Sequence, residues 1–512
     1  MRYLLVLFSA LFCFSAYSSA GFIKPESKGK IKVAGRHIYV NGKPFFIKGV
    51  GYQAMPIGET LGFPVYEHKE IYERDLALLR EMGCNTIRTW DKITGDGLID
   101  ACWNNGDRPI YLITGPFLDP ADIQTESGRN KVMQEWREFI TKYKDHPAIL
   151  MWQAGNEANY AFGKGDSRPL FRMINDIAKM AYEIEGENYH PFTTANGGMY
   201  DIGENKRGAD DGSMDYLDAW GANCYPGKSF WDLFQDYASR SEKPFWLSEY
   251  GCDAFDVRTG KENQEEHSIY VTALYKEMED NSDICSGGTI MAYSDEWWKA
   301  GNNSQHDSGG WKHGGLFDGM ANEEWWGVIA VEKQAGREDK ALPRKVYYDL
   351  ANEWKKEVVI KKPKKDIRTV KLAPGDPILP GDIVSIKASS ENDAESKAVY
   401  AADGKYRTRW DSAHGVDPAW LMIELNERKK ISGIHIKWEV ASAKKYRIEF
   451  SNDGKSWSGD LPVSDGAERE ERIIYFDPRN AKYVRIFCEE RATEWGYSIW
   501  EVKLNPDIEK NK

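Results

Sequence analysis

The sequence predicts an α/β architecture: a (β/α)8 TIM barrel followed by a C-terminal all-β jelly-roll sandwich. Three observations predict it. Short apolar runs alternate with amphipathic helical stretches through Trp354, the period switch expected of βα units. Two of those runs, Ile149-Leu-Met-Trp-Gln-Ala-Gly-Asn-Glu157 and Pro244-Phe-Trp-Leu-Ser-Glu249, end in a glutamate. Beyond Pro380 the pattern changes to strands and turns without a long helix.

The elements follow in order. Lys32 to Val40 and Lys43 to Val50 flank Asn41-Gly42, a strong hairpin signal, and the second arm runs on to Gln53 as the first barrel strand. Glu70 to Met82 is an amphipathic helix stopped by Gly83, and Thr86 to Trp90 is strand two. Leu98 to Asn105 is helical, Pro109 to Ile113 is strand three, and Val132 to Tyr143 is helical. Ile149 to Gln153 is strand four, Leu170 to Glu183 a helix, Phe192 to Ala195 strand five and Ala219 to Asn223 strand six. A helix from Trp231 to Ser239 precedes strand seven, Phe245 to Ser248. Gln264 to Met278 is helical, Gly288 to Tyr293 is strand eight, and Lys345 to Trp354 is the last helix. These are counted as eight βα units. Asp295 to Leu342, long and aromatic, reads as an elaborated loop over the barrel mouth.

A basic and proline-bearing stretch, Lys355 to Pro380, marks a solvated linker. After it, Trp420–Leu425, Ile431–Trp438, Lys445–Phe450 and Lys482–Phe487 read as sandwich strands. The expected organisation is a signal peptide at 1–20, a barrel domain at 21–358, a linker at 359–380, a β-domain at 381–506 and a tail at 507–512. The start is a short positive end and an apolar run, with small residues before a cleavage point after Ala20. An exported protein, secreted or periplasmic, is therefore expected, with no later run long enough to span a bilayer. The net charge of -12 argues against nucleic acid or an anionic membrane as partner. Six cysteines remain after cleavage, without metal-ligand spacing; disulfides are permitted but no pairing can be assigned.

A carboxylate at the C-terminal end of a barrel strand sits on the face where such barrels do their chemistry. Two of them, Glu157 and Glu249, supply what cleavage of a glycosidic bond needs: an acid for the leaving oxygen and a carboxylate at the anomeric carbon. The 19 Trp and 27 Tyr suit surfaces that stack on sugar rings, although large cores would use them equally well.

Asn156-Glu157 after strand four and Ser248-Glu249 after strand seven resemble the signature of glycoside hydrolase clan A, the retaining (β/α)8 glycosidases. The resemblance implies Glu157 as acid/base, Asn156 as a contact to the sugar 2-hydroxyl and Glu249 as nucleophile. It also implies that Arg88 on strand two and Tyr225 after strand six support the nucleophile. Phe45-Phe-Ile-Lys-Gly-Val-Gly-Tyr-Gln53, Arg74-Asp75, Asn85-Thr-Ile-Arg88 and Ser248-Glu-Tyr-Gly-Cys252 are similar to the β-1,3-glucanosyltransferases. Glu73 stands where that family has a cysteine, and Tyr293-Ser-Asp-Glu-Trp-Trp-Lys299 is closer to family-two-type barrels. Trp90 and Trp298 are candidate substrate platforms; core packing of the loops is the other reading.

Ala402-Asp-Gly-Lys-Tyr-Arg-Thr-Arg-Trp410, Tyr446 to Trp457 and Ile499-Trp-Glu-Val502 resemble coagulation-factor type C, or discoidin-like, carbohydrate-binding modules. That resemblance implies a structural Ca2+ held by Asp403, Thr408, Glu501 and the carbonyl of Lys405, with no cofactor for catalysis. Trp438, His414 and Trp495 are its candidate sugar contacts. The combined expectation is a secreted retaining β-glycoside hydrolase acting on a polysaccharide or oligosaccharide, with a β-glucan as the suggested class. A β-glucanosyltransferase on the same scaffold is the alternative, and a non-catalytic carbohydrate-binding protein a third. Sugar, linkage, endo or exo action and oligomeric state are not fixed by the sequence.

Overall fold

The structure, a computed structural model, describes residues 24–163, 165–230, 233–361, 378–404, 408–439, 441–464 and 472–505. The expected signal peptide, Lys405, most of the expected linker and the tail lie outside these residues. The chain divides into two compact units, 1–362 and 363–512.

In the first unit eight parallel strands close into a barrel. They are β1 (Ile47–Gly51), β2 (Thr86–Arg88), β3 (Tyr111–Thr114), β4 (Ile149–Asn156), β5 (Phe192–Gly197), β6 (Ala219–Asn223), β7 (Phe245–Tyr250) and β8 (Cys285–Ile290). Each strand pairs with its sequence neighbours, and β8 closes on β1 with Gly287 opposite Ile47. Around them lie α1 (Lys69–Met82), α2 (Gly97–Trp103), α3 (Glu126–Tyr143), α4 (Arg168–Glu185), α5 (Leu233–Arg240), α6 (Gln264–Asp280) and α7 (Lys345–Trp354). The count of eight complete βα units is corrected: among the described residues, β5 is followed by a single 3-10 turn at Asn205–Arg207 instead of an α-helix.

Boundaries also move, notably those of α3 and β8. Helix α3 begins six residues before the expected Val132, capped by Thr125, whose hydroxyl accepts from the Gly128 amide. Its first turns are polar, so apolar periodicity does not reveal them. Strand β8 starts at Cys285 and ends at Ile290, earlier than Gly288–Tyr293. Its opening Cys285-Ser-Gly-Gly has little β propensity, but a Cβ on Gly287 would collide with the Ile47 backbone, so only glycine permits the pairing.

An antiparallel sheet of Ile31–Ala34, His37–Val40 and Lys43–Phe45 packs Ile31 and Ile38 against Ile47, Ile113, Met151 and Trp246. This closes the strand N-terminal end, opposite Glu157 and Glu249. Segment 291–344 carries two hairpins. Its end is anchored by buried Arg344, which donates from both terminal nitrogens to Asp295 at 2.6 and 2.7 Å. The six cysteines from Cys84 to Cys488 are buried free thiols. No helix among the described residues is long and apolar enough to cross a membrane.

The second unit is a seven-stranded antiparallel sheet. Its strands are β9 (Ile383–Ala388), β10 (Trp410–Asp411), β11 (Ala419–Trp438), β12 (Ala443–Ser451), β13 (Ser458–Ser464), β14 (Arg472–Arg491) and β15 (Ser498–Leu504). Alternate residues of β11 and β14 fill one core with Trp410, Trp438, Tyr446 and Ile448.

Candidate active site

Strand β4 does not end smoothly. Gly155 and Glu157 take positive φ, 81° and 50°, and the Glu157 amide donates to the Ala195 carbonyl at 2.8 Å. A glutamate in the left-handed region is strained, at a cost of about 1–3 kcal/mol, and β5 and the following turn hold it there. The bend takes Glu157 out of the strand's alternation and presents it beside the end of β7, which carries Glu249.

Glu249 is 5% exposed and bonded through both oxygens. Arg88 Nη1 and Trp90 Nε1 each donate to Oε1 at 2.7 Å, and the Tyr225 hydroxyl donates to Oε2. Arg88 is itself wholly buried and fixed on all sides. Its Nε donates to Gln153 Oε1 at 2.8 Å, Nη2 to Asn156 Oδ1 at 2.6 Å, and Nη1 also to the Ser248 carbonyl at 3.1 Å. Asn223 completes the frame: its Nδ2 donates to Asn156 Oδ1 at 3.1 Å, and Ser248 Oγ donates to its Oδ1 at 2.7 Å. Strands β2, β4 and β7 are thus cross-linked through the Arg88 guanidinium, and β6 joins them through the Asn223 amide.

The two glutamates differ in charge state because their surroundings differ. Burial pushes Glu249 up, but the Arg88 charge and the hydrogen bonds from Tyr225 and Arg88 outweigh it and hold its carboxyl below the usual range. Burial raises Glu157, and the negative charge of Glu249 raises it further; a hydrogen bond from Asn223 only partly offsets this. The arrangement favours one ionised carboxylate beside one protonated acid.

Both face a cavity of about 710 Å³ whose lining includes Trp90, Asn156, Tyr225 and Trp298. All the residues expected in the barrel site, Glu157, Glu249, Asn156, Arg88, Tyr225, Trp90 and Trp298, are therefore in or against one site. Trp90 has a bond the sequence did not reveal: it is a donor to Glu249, its ring lies 5.2 Å from the Arg88 guanidinium, and Gly51 leaves the space it occupies. Sequence reasoning also missed Gln153 and Asn223, each on the inner face of a strand it did identify. The loop after β8 contributes Lys299, which pairs with Glu296 at 2.8 Å and Glu323 at 3.0 Å in the cavity wall. Glu323 lies in a stretch with no periodic signal.

In the second unit Asp403, Thr408 and Glu501 come together. Thr408 Oγ1 lies 3.0 and 2.9 Å from the two Asp403 oxygens, and the Gly404 amide donates to Glu501 at 3.1 Å. Burial, with Asp403 adding to it, pushes the Glu501 carboxyl up to about 7. A cation there would relieve that cost, so these oxygens fit the expected Ca2+; Lys405 lies outside the described residues. Among the described residues no group of three or more His, Cys, Asp or Glu side chains gathers at one point, so such a site would lean on backbone carbonyls. Trp438 is corrected: it is fully buried against Tyr446 in the core and cannot meet a sugar. Trp495 is 52% exposed and packs edge-on against His414.

Three family models match: Glucanosyltransferase over residues 22–184, Glycosyl hydrolases family 2, TIM barrel domain over 120–318, and F5/8 type C domain over 385–502. The 1,3-beta-glucanosyltransferase GAS5 of Saccharomyces cerevisiae is 22% identical over 312 residues, 57% of this chain and 61% of that protein. A solved beta-D-glucuronidase of Dictyoglomus thermophilum has a TM-score of 0.48 at 17% identity, covering 65% of this chain and 55% of that one. Chitosan-binding module 1 of a Paenibacillus sp. IK-5 chitosanase/glucanase is 36% identical over 23% of this chain and 92% of the module, with a TM-score of 0.22. The chain spans about three fifths of the length of the curated glucanosyltransferases it matches. The family matches, together with the glutamate pair on a closed parallel barrel, make the first unit similar to the clan A glycosidase barrels, and the F5/8 type C domain model matches residues 385–502 of the second.

Proposed function

We propose that the barrel is a retaining β-glycosidase acting on an oligo- or polysaccharide by double displacement. The observation that carries this is the unlike setting of the two strand-end glutamates: three donors bind Glu249 and favour its ionised form, while burial and the charge of Glu249 push the Glu157 carboxyl up. Glu249 attacks the anomeric carbon while Glu157 gives its proton to the departing oxygen. Glu157, now a carboxylate, then takes a proton from water, whose oxygen displaces Glu249. Asn156, its amide oxygen fixed by Arg88 and Asn223, orients the sugar through its 2-hydroxyl. Trp298 offers a ring to the pyranose.

The second reading is transfer, with a sugar hydroxyl in place of water; the glucanosyltransferase match over residues 22–184 favours it and points to a β-glucan donor. A purely sugar-binding role is disfavoured by the intact, differentially charged pair. A panel of β-glycans, read by product length and by the anomeric configuration first released, tests the proposal. Retention is expected, with Glu249→Ala inactive and Glu157→Gln reduced by about 10²–10⁴-fold on unactivated substrates. Wild-type turnover by Glu249→Ala, or first release of the inverted anomer, overturns it. Products longer than the donor separate transfer from hydrolysis. We further propose export through the N-terminal apolar segment and a structural Ca2+ at Asp403, Thr408 and Glu501, with Lys405 contributing its carbonyl.

A further inference from the structure

The mechanism above leaves one side of Glu157 to the departing sugar, since the acid must reach the oxygen of the bond being broken. Two aromatic residues, Tyr160 and Tyr200, lie in the turns that follow β4 and β5. The strand-end bend at Glu157 runs directly into a 3-10 turn, Ala158–Phe162, whose Tyr160 amide donates to the Glu157 carbonyl at 3.0 Å. The Tyr160 ring lies on Gly197 at the end of β5: a Cβ there would come within 2.5 Å of ring atoms Cε2 and Cζ. Gly198, at φ 66°, makes the same allowance for Tyr200, whose Cε2 would be 2.8 Å from an added Cβ.

Asn159 locks the two turns together. Its Nδ2 donates to the Gly197 carbonyl at 3.1 Å and to Asp201 at 2.9 Å, and its Oδ1 accepts from the Gly197 amide at 2.8 Å. The backbone is therefore fixed, while the rings stay open to solvent: Tyr160 is 53% and Tyr200 73% exposed. Neither hydroxyl hydrogen-bonds another residue among the described ones. Tyr160 stands three residues after Glu157, and the glycines that seat the two rings, Gly197 and Gly198, are adjacent at the end of β5. Exposed, rigidly backed rings beside an acid/base suit the apolar face of a pyranose better than they suit water.

We propose that Tyr160 and Tyr200 form the platform for the leaving and the incoming sugar, and that they set whether the glycosyl-enzyme is passed to a sugar or to water. The proposal rests on the glycosidase reading and names its acceptor: a β-linked pyranose, stacked with a hydroxyl over the anomeric carbon. In the transfer step that hydroxyl oxygen bonds to the anomeric carbon and the bond to Glu249 breaks, its electron pair returning to the carboxylate. The hydroxyl proton passes to Glu157. A stacked acceptor competes with water through its local concentration, so removing a ring shifts partition more than it shifts cleavage chemistry.

The test uses the full chain with oligosaccharides of whichever β-glycan the wild type cleaves. The ratio of lengthened to shortened products is measured at equal donor consumption. Tyr200→Ala is expected to lower that ratio by about 3–10-fold, Tyr160→Ala similarly, and Tyr200→Phe to retain it, since the ring and not the hydroxyl stacks. If the wild type lengthens nothing, the readout is KM for the oligosaccharide against KM for an aryl β-glycoside of the same sugar; a rise of about 3–10-fold for the oligosaccharide alone is expected. Tyr200 is exposed enough for its variants to fold, and an unchanged melting midpoint confirms it. Equal ratios and equal KM values in wild type and both alanine variants overturn the proposal, as does a Tyr200→Phe variant that falls as far as Tyr200→Ala. Wild-type failure to turn over any β-glycan overturns the glycosidase reading, and the platform with it.

Discussion

Tyr225→Phe removes one oxygen and almost no volume, which makes it a clean probe of the Glu249 environment. Tyr225 donates to Glu249 Oε2, while Arg88 and Trp90 both bind Oε1, so among the described residues no other donor serves that oxygen. A hydrogen bond to a buried charged group contributes about 1.5–3 kcal/mol, which at about 1.4 kcal/mol per pKa unit is about 1–2 units on the carboxylate. The direction is upward, because the lost bond favoured the ionised form. Activity needs Glu249 ionised and Glu157 protonated, so kcat/KM against pH should be bell-shaped, with its alkaline limb set by the raised Glu157. In Tyr225→Phe the acid limb should move up by about 1–2 units while the alkaline limb stays. Initial rates on one soluble β-glycan across pH 3 to about pH 9 measure both limbs. An acid limb that does not move, or an alkaline limb that moves instead, refutes the assignment of Glu249 as the ionised partner.

Three further outcomes follow from other parts of the structure. A methyl group on Gly51 would come within 2.4 Å of the Trp90 ring, so Gly51→Ala should displace the indole from Glu249 and raise the acid limb by about 1 unit, as Trp90→Phe should, in the same pH–rate assay. In the module, Trp438→Ala should cost about 3–5 kcal/mol in denaturant unfolding because the ring is fully buried, whereas Trp495→Ala should change stability by less than about 0.5 kcal/mol. Without Ca2+, Glu501 has a folded-state value of about 7 against an ordinary 4.5, so the folded module holds that proton more tightly than the unfolded chain. Its contribution to stability is then complete below about pH 4.5 and is lost as pH rises through about 7; added Ca2+ should restore the melting midpoint at pH 8, and Glu501→Gln should abolish both the pH dependence and the Ca2+ response.

The barrel was legible because its signals are local. Alternating periods, the Asn41-Gly42 turn, the stop at Gly83 and the glutamates closing two apolar runs are each carried by neighbouring residues. Where local signals are weak the reading slipped. The polar first turns of α3, the glycine-rich opening of β8 and the helix-free link from β5 to β6 obey packing and pairing, not periodicity. Trp438 shows the same limit in the module: an alternating strand says that a residue faces inward or outward, but not which face the core will claim.

Chain order alone determined the barrel, the module and the identities of Glu157, Glu249, Arg88 and Tyr225 as residues at strand ends. Tertiary structure decided what those residues do to one another. Arg88 and Glu249 lie 161 positions apart in sequence and 2.7 Å apart in space. The opposite shifts of the two glutamates, the turn of Trp90 onto Glu249 and the seating of Tyr160 on Gly197 all arise from such long-range neighbours. Burial and Coulomb interactions depend on distance through space, and only closure of the barrel sets those distances.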